Sequence, residues 1–431
     1  MKIKVITVIG ANGTIGSKVS GIFASFGDTK VYMVCREMKD ANEAVKKAAL
    51  SVRANSITNN LIPKTYEDLE ECIKNSDLIF ESVSENIETK KNVYTQIIPL
   101  IDSNKIIATG TSGLSINALS ESFSDEIKPF FMGIHFYNPP YSMILCEAIS
   151  SKYTDKGLFG KVKKYLENKL YRNVVEVKDS PAFLGNRIGF QFINETMKYA
   201  EVYKDNGGID YIDAILGNFT GRSMPPLVTS DFVGLDVHKA IVDNIYLNTA
   251  DYAHETFKMP IFAEKLIQEN KLGRKSGCGL YKSVPHIDGT NTIHVYDIAS
   301  NEYRQIEKFS FPFAKKMIKE FRIGCYENAF ISLVKNNSTE ASICLNFLIK
   351  YVIYSLFASK EVGFSIYSCD DVMATGFNWI PPLSVIDAFG GLLTFKKIIE
   401  DQRLDLNINI EELLKDVPES KYDYRPFLKA N

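Results

Sequence analysis

At 431 residues, with roughly 150 residues to a domain, the chain has room for about three cores, and 45% hydrophobic with 24% charged residues is the composition of a folded globular protein. Its 50 basic and 52 acidic residues leave a formal charge of -2, which withholds the positive field that sequence-independent nucleic-acid binding needs, so nucleic acid is not an expected partner. Seven cysteines, an odd count placed singly with no Cys-x-x-Cys, exclude a disulfide framework or structural zinc and point to a reducing, cytoplasmic setting.

The first apolar run, Ile3 to Ile9, is short, contains Lys4 and leads straight into a glycine turn, so it reads as a buried strand rather than a leader. The turn is Gly10-Ala11-Asn12-Gly13-Thr14-Ile15-Gly16, and Val19, Ile22, Phe23 and Phe26 then mark one helical face. Glycines in that place permit positive backbone dihedrals and close approach of a pyrophosphate, whose charge meets the free N–H groups of a helix N-terminus. The pattern predicts a dinucleotide site on Gly10, Asn12, Gly13, Thr14, Ile15 and Gly16. A second strand, Val31 to Cys35, ends where an acidic side chain accepts the adenosine ribose hydroxyls of NAD. Cys35 stands there, followed by Arg36, so no carboxylate repels a 2′-phosphate and a guanidinium is at hand to bind one. The cofactor expected is therefore NAD(P) with a leaning to NADP; in the alternative, Arg36 is solvated and Glu37 supplies the ribose contact of NAD.

Next come one helical stretch, Ala41 to Val52, and a loop-like segment, Asn55 to Pro63, then strands at Leu78 to Val83, Lys105 to Thr109 and Phe131 to Phe136. Short apolar runs alternating with helical patterns over some 180 residues predict a parallel sheet with crossover helices. His135 falls at the C-terminal end of the last of these strands, the edge where open parallel sheets place ligands. Imidazole exchanges a proton near neutrality, as the oxidation of an alcohol requires. His238, His254, His286 and His294 fall in helical or linker segments without ligand spacing, so no metal is expected.

After Asp179-Ser180-Pro181 the texture turns helical. Asn291 to Gln305 reads as a hairpin turning at Ser300-Asn301, and the apolar stretch Leu345 to Phe357, broken by Asn346 and Lys350, as a core helix; no membrane role is indicated. Pro225-Pro226-Leu227 with Asp231 and Gly234 recurs as Pro381-Pro382-Leu383 with Asp387 and Gly390, each after an acidic helical stretch, Ile209 to Gly217 and Ser368 to Gly376. The fold expected is an α/β Rossmann-type N-terminal domain (1–180) followed by an all-α C-terminal domain in two copies (181–282 and 312–431), joined by a hairpin linker (283–311).

The glycine turn, Glu85-Asn86, Thr111-Ser112, His135-Phe136-Tyr137-Asn138-Pro139-Pro140 with Glu147, Asn186-Arg187, Met224-Pro225-Pro226, Asp231 to Asp236 and Leu272 to Tyr281 together resemble the L-3-hydroxyacyl-CoA dehydrogenase family over roughly residues 5 to 282. The resemblance implies that Glu147 accepts a hydrogen bond from the second imidazole nitrogen of His135, that Ser112 and Asn186 hold the reacting oxygen and substrate, and that Glu85 and Lys90 lie near the nicotinamide ribose. It implies reversible NAD(P)-dependent oxidation of an L-3-hydroxyacyl-CoA, taken as short-chain, with a free hydroxy acid or sugar acid, or a silent dinucleotide-sensing role, as the alternatives. The second helical copy resembles the one in longer bacterial members and would let one chain supply its own partner domain, giving a monomer or a homodimer.

Three features depart from the family pattern. The glycine loop is one residue longer than G-x-G-x-x-G, and Gly110 and Gly113 replace an Asn and a Ser, which would loosen contacts there. The segment between Arg36 and Asp77 is shorter than the basic hairpin that clamps CoA, leaving Lys46, Lys47 and Arg53 to meet the phosphates of an acyl-CoA.

Overall fold

The computed structural model describes residues 2–52, 54–101, 105–286, 288–404, 406–415 and 417–429; Arg53 lies outside them. The chain divides into two compact units, Met1–Phe183 with Val362–Phe364, and Leu184–Glu361 with Ser365–Asn431.

In the first unit, the strands are β1 (Val5–Ile9), β2 (Lys30–Cys35), β3 (Leu61–Thr65), β4 (Leu78–Glu81), β5 (Ile106–Thr109), β6 (Phe131–Phe136), β7 (Leu145–Ser150) and β8 (Asn173–Val177). The helices are α1 (Thr14–Ser25), α2 (Met38–Val52), α3 (Asn55–Thr58), α4 (Leu69–Asn75), α5 (Ile87–Ile97), α6 (Ile116–Ser120) and α7 (Lys156–Asn168). The strands form one sheet in the order β3-β2-β1-β4-β5-β6-β7-β8. Neighbours pair in parallel except β6 and β7, which are antiparallel. The order reverses between β1 and β4, and the crevice at such a switch point is where open sheets take their ligands. Val, Ile and Phe dominate the central strands, which are buried on both faces as parallel strands under helices must be. Phe23, Phe80 and Phe136 interlock edge to face in the core beneath α1.

The segment expected as a loop, Asn55 to Pro63, instead holds α3 and the start of β3. β3 is an edge strand, where a proline's missing N–H is tolerated, and Pro63 and Lys64 interrupt the apolar run that would have revealed it. β7 and β8, not foreseen as strands, complete the far edge.

In the second unit, α8 (Gly185–Val202), α9 (Ile209–Ile215), α10 (Pro226–Val233), α11 (Leu235–Asn248) and α12 (Ile261–Gln268) lead to β9 (Tyr281–Pro285), β10 (Asn291–Asp297) and β11 (Glu302–Gln305). After these come α13 (Pro312–Arg322), α14 (Tyr326–Val334), α15 (Thr339–Val362), α16 (Ser368–Val372), α17 (Pro382–Ala388), α18 (Leu392–Gln402) and α19 (Ile410–Leu413). This unit is not all-α: the expected hairpin recruits β9 into an antiparallel three-stranded sheet, because Tyr281 to Pro285 pairs with Val295 to Asn291. α15 is long and apolar enough to cross a membrane, yet 78% of its most apolar window is buried within the protein.

The two Pro-Pro segments play matching structural parts. Pro226 and Pro382 each open a helix, where a missing N–H costs nothing. Asp213 accepts from the N–H of Leu227 and Asp370 from that of Leu383, both at 2.8 Å. Asp231 takes the N–H of Leu280 and Asp387 that of Ser420. Arg222 and Trp379, just ahead of the two Pro-Pro pairs, meet in an antiparallel bridge.

Candidate active site

A cavity of about 320 Å³ opens at the sheet's switch point, lined by Gly10, Asn12 and Gly13 of the glycine turn, Cys35 and Arg36 at the end of β2, Asp40, Tyr66, and the stretch Ser82 to Ser84 after β4. Gly10 has φ +80°, and a Cβ there would lie 2.6 Å from the Ser82 carbonyl oxygen, so the turn requires glycine. Gly10 and Ala11 both donate to the Val34 carbonyl and Gly13 donates back to Gly10, a turn that absorbs the extra residue of the loop. Gly13 is the N-cap of α1 and offers no side-chain cap, which leaves the helix's N-terminal donors to an anion. The chemistry of this cradle fits a dinucleotide pyrophosphate. Thr14 and Ile15 begin α1, while buried Gly16 packs against Gly10, where a Cβ would lie 2.5 Å from the carbonyl oxygen.

At the β2 end the Arg36 side chain is exposed, with no ion pair among the described residues, and burial raises the Cys35 thiol above its ordinary range. Glu37, the alternative ribose acceptor, is not in the cavity wall; Asp40, from the first turn of α2, is.

Beneath the cavity lies a fully buried carboxylate, Glu81. It accepts from Lys90 Nζ at 2.9 Å, Tyr94 Oη at 3.0 Å, Thr109 Oγ1 at 2.7 Å and the N–H of Val83 at 2.7 Å. Lys90, expected beside the nicotinamide ribose, is therefore buried in this network, and its ammonium reaches Glu85 only at 3.6 Å. Glu85 is half-exposed and accepts from Thr111 Oγ1 at 2.5 Å and the Ser112 N–H at 2.7 Å, so the structure joins Glu85, Lys90 and Ser112 in one cluster. Gly110, a departure from the family pattern, lets the chain pass over Phe80, whose ring a Cβ would meet at 2.8 Å.

The antiparallel register of β6 and β7 sets His135 directly opposite Glu147, which explains their pairing across twelve residues of sequence. Imidazole Nδ1 lies 2.8 Å from Glu147 Oε2, and the Tyr137 hydroxyl donates to the same oxygen at 2.9 Å. Glu147 is fully buried and His135 nearly so. Among the described residues no protein group bonds to Nε2. Phe183 packs its ring 5.7 Å from the imidazole, and both Ala182 and Phe183 have left-handed backbones (φ +59° and +55°), an arrangement that non-glycine residues keep only where the surroundings enforce it. Asp179 ties this segment to α6, accepting from Ser115 Oγ and the N–H groups of Ile116 and Asn117 at 2.8 Å. Such a charge-held imidazole with a free second nitrogen can take and return one proton. Asn186 stands in the second unit, buried in the first turn of α8. Among the described residues no metal-binding cluster of His, Cys, Asp and Glu occurs.

The sequence models of the 3-hydroxyacyl-CoA dehydrogenase family match residues 5–180 (NAD binding domain) and 183–283 (C-terminal domain). A 3-hydroxybutyryl-CoA dehydrogenase of Clostridioides difficile is 32% identical over 293 residues, 64% of this chain and 98% of its own. The chain belongs to the 3-hydroxyacyl-CoA dehydrogenase family. A probable 3-hydroxyacyl-CoA dehydrogenase of Bacillus subtilis is 29% identical over 88% of this chain but only 46% of its own, so this family member spans about half the length of that relative. The crystal structure of an Escherichia coli 3-hydroxybutyryl-CoA dehydrogenase, at 18% identity, has a TM-score of 0.68 over 94% of this chain and 95% of its own, which shows a shared fold through nearly the whole chain. The family's NAD binding domain makes the cofactor a nicotinamide dinucleotide.

Sequence reasoning about this dehydrogenase-family chain passed over Glu81, Tyr137, Asp40 and Tyr66. Glu81 left one signal, a carboxylate closing an otherwise apolar strand, Leu78-Ile79-Phe80. Tyr137 lay inside the quoted histidine motif, but only strand register shows that it reaches Glu147.

Proposed function

We propose that the protein catalyses reversible oxidation of an L-3-hydroxyacyl-CoA, of short chain, to the 3-oxoacyl-CoA. The observation that carries this reading is His135, with Nδ1 held by buried Glu147 and Nε2 unengaged, at the carboxyl edge of a sheet with a dinucleotide cradle. A bound nicotinamide supplies the hydride acceptor. His135 Nε2 takes the hydroxyl proton as hydride leaves the carbinol carbon, and Glu147 stabilises the imidazolium so formed. Ser112 and Asn186 hold the reacting oxygen, and Gly10, Asn12, Gly13 and the start of α1 hold the pyrophosphate. Exposed Lys46 and Lys47 on α2 are the cations available to CoA phosphates. Arg36, exposed in the cavity wall beside a cysteine rather than a carboxylate, favours NADP.

Purified protein incubated with acetoacetyl-CoA and NADPH or NADH, followed by cofactor absorbance, tests this. Turnover is expected, faster with NADPH; no turnover of any 3-oxoacyl-CoA defeats the thioester assignment and leaves a free hydroxy acid or sugar acid as substrate, or a silent dinucleotide-sensing role.

The matched capping of α10 and α17 and the Arg222–Trp379 bridge support a duplicated helical domain, whose second copy would let one chain supply its own partner domain. A monomer in light scattering is the expected result. Seven free cysteines, five of them buried, fit a cytoplasmic setting.

A further inference from the structure

Helices α8 and α15 of the second unit pack antiparallel, and their contacts set a register. Tyr199 meets Phe347, Glu195 takes the ammonium of Lys350 at 2.6 Å, Phe192 meets Tyr351, and Arg187 reaches Tyr354. Positions on α8 fall from 199 to 187 as those on α15 rise from 347 to 354, so Tyr354 arrives at the first turn of α8. That turn carries Asn186, and the side chain of its N-cap residue, Leu184, makes no capping bond.

Arg187 is instead fixed by a closed ring of three hydrogen bonds. Its Nε donates to the Tyr354 hydroxyl at 3.1 Å, that hydroxyl donates to Asp251 Oδ2 at 2.9 Å, and the same carboxylate oxygen accepts from Arg187 Nη2 at 2.8 Å. All three side chains are buried, between 1% and 6% exposed. A buried guanidinium bonded on two nitrogens has one orientation, and its backbone is the backbone that follows Asn186.

We infer that Tyr354, with Asp251, is a positioning residue for Asn186, so that the reacting site extends beyond residues 5–283, the part of the chain that the family models match. This rests on the reading of Asn186 above as a holder of the reacting oxygen. A polar group that stabilises a transition state acts only within a few tenths of an ångström of its place, so removing the anchor reaches the rate while leaving cofactor binding intact.

The test is a double-mutant cycle in the full chain. Tyr354→Phe removes one hydroxyl and keeps the ring; kcat for reduction of acetoacetyl-CoA is expected to fall about tenfold, with the KM for the nicotinamide cofactor unchanged. In an Asn186→Ala background the same substitution is expected to cost nothing further, because its effect passes through Asn186. Multiplicative effects, as from general loosening of the fold, overturn the inference, as does an unaltered kcat. Amide hydrogen exchange over residues 185–190 gives a readout without activity: faster exchange there in Tyr354→Phe is expected, and unchanged protection refutes the anchor. Asp251→Asn, which keeps shape and one acceptor, serves if Tyr354→Phe does not fold, with the same two criteria. A wild type inactive on every 3-oxoacyl thioester defeats the functional reading alone, since the exchange result still decides the anchor.

Discussion

Replacing Glu147 by glutamine separates charge from geometry at the imidazole. Glu147 Oε2 accepts from His135 Nδ1 at 2.8 Å and from Tyr137 Oη at 2.9 Å, both buried. In Glu147→Gln the amide oxygen can take that place, accepting from Nδ1–H and from the Tyr137 hydroxyl. The imidazole then keeps its tautomer and loses only the anion. A hydrogen bond to a charged group contributes about 1.5–3 kcal/mol against about 1 kcal/mol for a neutral one, so the developing imidazolium loses about 0.5–2 kcal/mol. At about 1.4 kcal/mol per tenfold, kcat falls roughly 2- to 30-fold. Adding Tyr137→Phe removes the second donor. The amide is then free to turn its NH2 toward Nδ1 and impose the wrong tautomer, a change whose cost can reach about 10⁴-fold. Steady-state kcat at saturating cofactor, for the two single variants and the double, measures this. Tautomer control by Tyr137 is refuted if Glu147→Gln alone already loses the full 10⁴-fold, or if the double variant is no slower than Glu147→Gln.

Glu81→Ala strands the fully buried Lys90 ammonium without its carboxylate, and the expected loss is about 3–5 kcal/mol in urea unfolding; a loss under about 1 kcal/mol would show the network to be dispensable. Arg36→Glu removes one charge-assisted contact to a 2′-phosphate and adds repulsion, so the ratio of kcat/KM with NADPH to that with NADH should fall at least tenfold. An unaltered ratio removes Arg36 from cofactor selection. Burial pushes the carboxyls of Asp213 and Asp370 up to about 7, against an ordinary 3.8. Between about pH 4 and 7 the folded chain then keeps protons that the unfolded chain releases, so this contribution is complete at low pH and is lost as pH rises through 7. Urea midpoints at pH 5 and pH 8 should differ less in the Asp213→Asn/Asp370→Asn variant than in the wild type, and an equal difference would place the titration elsewhere.

What was legible in the sequence was what a local pattern encodes. The Val5–Ile9 strand, the glycine turn and the α1 face follow from periodicity and backbone freedom, and His135 was marked by its place at a strand end. The strands that escaped, β3, β7 and β8, lack an uninterrupted apolar run: Pro63 and Lys64 sit in the first, Glu147 in the second, Glu176 in the third. Glu147 broke that run because it faces His135 across the ladder, so the feature that hid the strand belongs to the candidate site. Lys90 shows the converse. The family resemblance sets it with Glu85 beside the nicotinamide ribose, whereas its burial on Glu81 is a product of three-dimensional packing, with partners drawn from β4, α5 and β5. Pairings across 28 residues, as between Glu81 and Thr109, leave no mark in local periodicity.

Arg222 poses a sharper question of the same kind. It is fully buried where the two Pro-Pro segments meet, over Phe192 at 3.9 Å and near Trp379 at 4.8 Å and Tyr351 at 5.2 Å. Among the described residues its hydrogen bonds go to Thr220 alone, and Nε and Nη2 have no partner. Burial lowers the guanidinium to about 10 from 12.5, on the order of 3 kcal/mol against the charged form, and two unmatched N–H donors cost about 1–3 kcal/mol each. The aromatic faces return about 2 kcal/mol and the Thr220 bonds about 1 kcal/mol apiece. Charge at this position is thus neutral at best for stability, and Arg222→Met, which keeps most of the volume, should be neutral or stabilising by up to about 2 kcal/mol in urea unfolding. Arg222→Ala, which opens a cavity among the same rings, should cost about 3 kcal/mol. A loss above about 2 kcal/mol in Arg222→Met would mean that the rings hold the cation more strongly than these terms allow. If the Met variant is as stable as expected, the arginine's role is register: a cation that only the Phe192–Tyr351–Trp379 cage accommodates keeps the Arg222–Trp379 bridge from slipping, at a cost in stability that a methionine would not impose.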